Sequence, residues 1–118
     1  MQILVNTDSN IEATNDLVRE VEASVGTVLA RFESRLTRIE VHLKDESAGR
    51  TTPDDISCTL EARPAGGNPL AATDNASTVT GAVTGALHKL ASVLDSTFGR
   101  LDNHKGASAM GDEQPPTA

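Results

Sequence analysis

Arg38-Ile39-Glu40-Val41-His42-Leu43-Lys44 is the stretch whose reading decides the fold. In an extended chain successive side chains point to opposite faces. Ile39, Val41 and Leu43 therefore share one face, and Arg38, Glu40, His42 and Lys44 share the other. This period of two predicts a strand with one buried and one wet face. Outward toward the C-terminus, Asp45 to Asp55 contains Ser, Gly, Thr and Pro and reads as a mobile connection. Ile56 to Arg63 then repeats the alternation. Cys58, Leu60 and Ala62 lie on one face, and Ser57, Thr59, Glu61 and Arg63 on the other. Pro64-Ala65-Gly66-Gly67-Asn68-Pro69 is turn chemistry and predicts a hairpin to a short strand from Leu70 to about Asp74.

Outward toward the N-terminus the period changes. Leu17, Val18, Val21, Val25, Val28, Leu29 and Phe32 recur at helical spacing, with Thr14 placed as the N-cap. Before them, Gln2 to Asn6 is short, apolar and β-favouring, and Thr7-Asp8-Ser9-Asn10 breaks it. At the other end a long helix is predicted from about Ser77 to Asn103. Its apolar stripe is Val79, Ala82, Val83, Ala86, Leu87, Leu90, Leu94, Phe98 and Leu101. From Gly106 the chain is small, polar and Pro-containing, which reads as a disordered tail over 106–118. The order is β-α-β-β-β-α. The expected class is α+β: one domain over residues 1–105, a half-wet antiparallel sheet of four strands with two helices packed on its dry face.

Composition narrows the function. The 118 residues carry 17 Asp+Glu against 10 Lys+Arg, a formal charge of −7. Two Phe, no Tyr and no Trp argue against aromatic platforms for stacked bases. The acidity argues against a simple basic nucleic-acid binder. Yet Asp112 and Glu113 lie in the predicted tail, and Asp45, Glu46, Asp54 and Asp55 flank the predicted loop. The predicted elements are thus nearer neutral than the whole chain. Cys58 is the single cysteine and has no disulfide partner within the chain. The N-terminus lacks the pattern of a secretory signal, and no apolar run approaches the roughly 20 residues of a membrane span. The expectation is a cytoplasmic protein with no membrane partner.

Candidate chemistry is sparse. His42, His88 and His104 make no H-x-x-x-H pair, and no Cys-x-x-Cys occurs, so no metal site is expected. Cys58 alternates onto the apolar side of its strand and reads as a small buried hydrophobe. No phosphate-binding glycine motif is present. No catalytic residue, cofactor or small-molecule substrate is expected, and the chain is not expected to be an enzyme. The basic residues are more informative by position. Lys89 and Arg100 are 11 residues apart on the last predicted helix, about three turns, and face nearly the same way. Arg31, Arg35 and Arg38 gather around the turn before the strand first quoted, and His42 and Lys44 extend them along its wet face. Arg63 is placed to pair with Glu40 across strands.

Three segments, in order, carry a resemblance. Met1-Gln2-Ile3…Asn6…Ser9-Asn10-Ile11-Glu12 resembles the MQI-x-(I/V)-x-G-x-N-I-E opening of ribosome hibernation-promoting factors, also called ribosome-associated inhibitors or sigma-54 modulation proteins. Arg38-Ile39-Glu40-Val41-His42-Leu43 resembles their R-(I/V)-x-V-x-L strand. Ala82-Val83…Ala86-Leu87-His88-Lys89-Leu90 resembles their A-V-D-x-A-x-D-K-L helix, with Arg100 and His104-Lys105 following. The resemblance implies a short-form factor that binds the small ribosomal subunit through rRNA and holds translation silent in stress or stationary phase. It implies rRNA-binding roles for Arg38, Lys89, Arg100 and Lys105, with Arg31, Arg35, His42 and Lys44 as positional additions. This sequence departs from the pattern in the last helix, where 91–100 holds one Arg in place of a dense basic run. Longer members carry a further domain that pairs two ribosomes, and this chain is not expected to do so unaided. The alternative expectation is a diverged family fold acting as a protein-interaction module without ribosome binding.

Overall fold

The strand quoted first lies inside the sheet, between two neighbours. In the computed structural model, which describes residues 1–46 and 55–110, with side chains as far as Asp102, the elements follow the predicted order. They are β1 (Gln2–Thr7), α1 (Asn15–Val28), a 3-10 segment (Ala30–Arg35), β2 (Leu36–Asp45), β3 (Ile56–Pro64), β4 (Leu70–Ala76) and α2 (Val79–Met110). The sheet runs β1-β2-β3-β4, with α1 and α2 on one face and the core between them.

One pairing differs from expectation. β1 pairs with β2 in parallel, from Gln2 opposite Arg38 to Thr7 opposite Leu43. The sheet is therefore mixed rather than antiparallel throughout. The cause is α1: a helical crossover carries the chain back to the end where β1 began, which makes the next strand parallel. The other two pairs are antiparallel, with Ile39 opposite Ala62 and Leu60 opposite Ala72. Asp8 closes the far end of the β1–β2 pair. Its backbone N–H donates to the Leu43 carbonyl at 3.0 Å, and its carboxylate accepts from the Asp45 N–H at 3.1 Å.

Thr14 caps α1 as expected: its hydroxyl accepts from the Leu17 N–H at 3.1 Å. The apolar spacing through Phe32 is carried by two pieces, because the chain tightens into the 3-10 segment after Leu29. The turn after β3 also follows the sequence. The Gly67 N–H donates to the Pro64 carbonyl at 3.4 Å, and Gly66 has φ 76°. A positive φ at the third position of such a turn favours glycine. Leu29, Ile39, Leu43, Leu60, Leu87, Leu90 and Leu94 are fully buried. Each contributes roughly 1.5–3 kcal/mol by leaving water.

α2 packs closely on β4 at Gly85, where a Cβ would run into the Asp74 carboxylate. The helix continues past the expected end at Asn103 to Met110. Its 32 residues span about 48 Å at 1.5 Å each, whereas the 10 residues of β2 span about 33 Å. α2 thus overhangs the sheet. Leu101, expected in the core stripe, is 52% exposed for this reason: Phe98 is the last residue of the stripe with a layer beneath it. Of the tail expected over 106–118, residues 106–110 belong to α2 and the rest lies outside the described residues, as do residues 47–54 of the connection expected from Asp45 to Asp55.

Candidate nucleic-acid interface

The predicted basic residues stand in three places. The first is the wet face of the sheet, where alternation puts Arg38, Glu40, His42 and Lys44 beside Glu61 and Arg63 of β3. Arg38 lies opposite Arg63, and Glu40 opposite Glu61. Arg38 holds Glu40 at 2.8 Å and Arg63 holds Glu61 at 2.8 Å. Arg63 also reaches Glu40 at 3.5 Å, and His42 Nε2 lies 3.2 Å from Glu40. Desolvation pushes the Glu40 carboxyl up. The charge of Arg38, the hydrogen bond to His42 and the charge of Arg63 outweigh it and hold Glu40 below its ordinary value. Arg38 and His42 therefore already engage a carboxylate. Lys44, toward the opposite end of β2, has no ion pair with another described residue.

The second place is the edge of β4. Lys89 Nζ donates to the Asp74 carboxylate at 3.0 Å and to the Thr73 carbonyl at 3.2 Å. Asp74 alternates onto the helix-covered face of β4, and Gly85, one turn before Lys89, leaves room for it. The Lys89 hydrogen bond and the Asn75 backbone N–H hold the Asp74 carboxyl below its ordinary value against desolvation.

The third place is the overhanging part of α2 beside the 3-10 segment. Arg31 pairs with Asp95 at 2.7 Å, and Arg35 makes a two-pronged contact with Asp102 at 3.1 and 3.4 Å. Arg31 and Arg35 are four residues apart on the 3-10 segment, and Asp95 and Asp102 seven apart on α2, and the two pairs tie these segments together. Each guanidinium also stacks on a phenylalanine: Arg31 lies 4.5 Å from the Phe32 centroid and Arg35 lies 4.1 Å from that of Phe98. The two rings are 5.9 Å apart and tilted. Exposed ion pairs of this kind contribute less than about 1 kcal/mol, and each guanidinium–ring contact roughly 0.5–1 kcal/mol. Their effect is to fix where the arginines point.

Arg35 and Arg100 line a half-open cleft of about 620 Å³ between the 3-10 segment, the β3–β4 turn and α2. Leu70, Phe98 and Leu101 supply its apolar lining, and Gly66, Gly67 and Asn68 its rim. The Ala65 N–H donates to the Arg35 carbonyl at 3.0 Å, tying the turn to the 3-10 segment. Arg100 has no ion pair with another described residue.

Arg35 and Arg100 are thus brought together, with Arg31 beside them, while Arg38 and His42, Lys44 and Lys89 lie elsewhere. Lys105 falls outside the residues whose side chains are described. Sequence reasoning placed Lys89 and Arg100 facing nearly the same way on one helix, and missed that Asp74 reaches Lys89 from β4. It also missed Asp95 and Asp102 as partners of the arginine cluster. The four- and seven-residue spacings were the available signal, but joining them required knowing that the two segments touch. The pairing of Arg63 with Glu40 followed expectation.

Other chemistry is weak at the described residues. Cys58 is fully buried, and burial, with the Asp74 charge, pushes its thiol up to about 12. No three His, Cys, Asp or Glu among the described residues converge as a metal would require. No helix among them is long and apolar enough to cross a membrane.

The sequence profile of the family described as sigma 54 modulation protein / S30EA ribosomal protein matches residues 4–102. The N-terminal domain of Protein Y from Thermus thermophilus has a similar structure, with a TM-score of 0.66 at 18% identity, covering 82% of this chain and 99% of that one. A ribosomal subunit interface protein from Coxiella burnetii gives a TM-score of 0.60 at 16% identity, covering 84% and 99%. At these identities the two structures share the fold. No curated protein matches the sequence significantly.

Proposed function

Because this chain belongs to the sigma 54 modulation protein / S30EA ribosomal protein family, we propose that it binds the small ribosomal subunit in the cytoplasm and holds translation off by occupying it. The observation that carries the reading is the family match over residues 4–102. The structure adds an end of the molecule where Arg31, Arg35 and Arg100 gather, suited to rRNA phosphates. The action is occupancy rather than catalysis. The one thiol is buried and holds its proton, and the carboxylates near the arginines are engaged in ion pairs.

Cosedimentation with small subunits and with whole ribosomes tests it. Pelleting at low salt that falls steeply as salt rises is the expected result, because each phosphate contact releases counterions. Failure to pellet at low salt overturns the reading. A Lys44→Glu/Arg100→Glu variant should pellet less well, since neither residue has an ion pair among the described residues.

A second reading has its own observation. Arg31, Arg35, Arg38, Arg63 and Lys89 all hold carboxylates within the chain, which weakens their attraction for phosphate. A diverged fold that docks on a protein is consistent with this. Recovery of one non-ribosomal protein free of rRNA, with no ribosome pelleting, favours it.

A further inference from the structure

The near-absence of aromatic residues counted against base stacking, yet the structure offers a flat surface of another kind. The Arg35 guanidinium is fixed on two sides. Its Cζ lies over the Phe98 ring, 4.1 Å from the centroid, and both terminal nitrogens hold Asp102. Its side chain is still 40% exposed, and it lines the cleft. Phe98 and Asp102 thus hold in place a planar cation that the cleft can reach. Guanidinium planes accept stacked nucleobases as aromatic rings do. Beside it stand Arg100, which has no ion pair with another described residue, and Leu101, the one large hydrophobic residue strongly exposed among the described residues. A planar cation, an apolar wall and a second positive charge sit together in about 620 Å³.

We infer that this cleft takes one unpaired nucleotide of an RNA strand, its base stacked on Arg35 against Leu101 and its phosphate on Arg100. The inference rests on the ribosome-binding reading for its macromolecular source and adds the site and the mode of contact. A strand suits the cleft better than a free nucleotide because the cleft is open along one side, so neighbouring nucleotides can continue out of it. The two arginines have different tasks. Arg100 supplies charge, which a lysine also supplies. Arg35 supplies a plane, which a lysine does not.

The test is amide and arginine-Nε NMR of the full chain with a single-stranded adenosine ribotetramer. Expected are shifts at Gly66, Gly67 and the Arg35 Nε, and none of comparable size from an abasic tetramer of equal charge. Arg35→Lys should bind roughly tenfold more weakly, about the loss of one base stack, while Arg100→Lys stays within twofold and Arg100→Ala does not. Four results overturn the inference: equal Arg35 shifts from the abasic tetramer, Arg35→Lys within twofold of the parent, adenosine monophosphate binding as well as the tetramer, or tighter binding of an acidic, phenylalanine-containing tetrapeptide. The abasic comparison uses the unaltered protein, so it decides the matter even if Arg35→Lys loses stability. Ribosome pelleting without tetramer shifts at the cleft sinks this inference and leaves the ribosome reading standing; loss of pelleting sinks that reading.

Discussion

Gly85 shows how one side chain's absence sets a contact. A methyl group there meets the Asp74 carboxylate, which Lys89 holds in place from one turn further along α2. Gly85→Ala improves helix propensity by about 1 kcal/mol, yet it should destabilise the chain by about 1–3 kcal/mol through overpacking. Urea midpoints check the sign, and adding Asp74→Ala should recover much of the loss. The Glu40 and Asp74 carboxyls carry the pH dependence. Both are held below their ordinary values of 4.5 and 3.8. Their contribution to stability is therefore complete above those values and is lost as the pH falls through the lower folded ones. A Glu40→Gln/Asp74→Asn variant should show a flatter fall in urea midpoint below pH 4.5 than the parent.

At the scale of elements, the strands were the most legible part of the sequence. Ile39-Val41-Leu43 and Cys58-Leu60-Ala62 alternate cleanly, and burial follows that alternation except at Ser57, which was expected on the wet face and is buried. Thr14 was legible because capping is local. Thr14→Ala should cost about 1 kcal/mol, read as a lower thermal midpoint with little change in the native far-ultraviolet circular dichroism. The direction of β1 was not legible, because its composition is the same whichever way its neighbour runs. The length of α2 was hidden for a related reason. Leu101 continues the helical apolar period, and nothing in that period says where the sheet beneath it stops. The site was the least legible part. The sequence groups Arg31 and Arg35 with Arg38, and Arg100 with Lys89, because nothing local in it says that the 3-10 segment meets α2; Asp95 and Asp102 are more than 60 residues away from the arginines they hold.

For the whole molecule, the formal charge of −7 matters less than its arrangement. Asp95 and Asp102 lie in the arginine-rich end and repel the phosphates the arginines would attract. Asp95→Asn frees Arg31 and removes one such charge, so it should strengthen ribosome pelleting several-fold at moderate salt and steepen its salt dependence. Unchanged pelleting across the salt series would place Arg31 outside the interface. Lys89 has a different consequence at this scale. β4 is one of the two edge strands, and an edge is where a passing chain could extend the sheet. By donating to the Thr73 carbonyl, the Lys89 ammonium engages one backbone acceptor of β4 and sets a positive charge beside this strand. A charge beside an edge strand disfavours strand addition there. Replacement of Lys89 by an uncharged residue should show first as growing particle size in light scattering of concentrated samples, before any change in the fold itself.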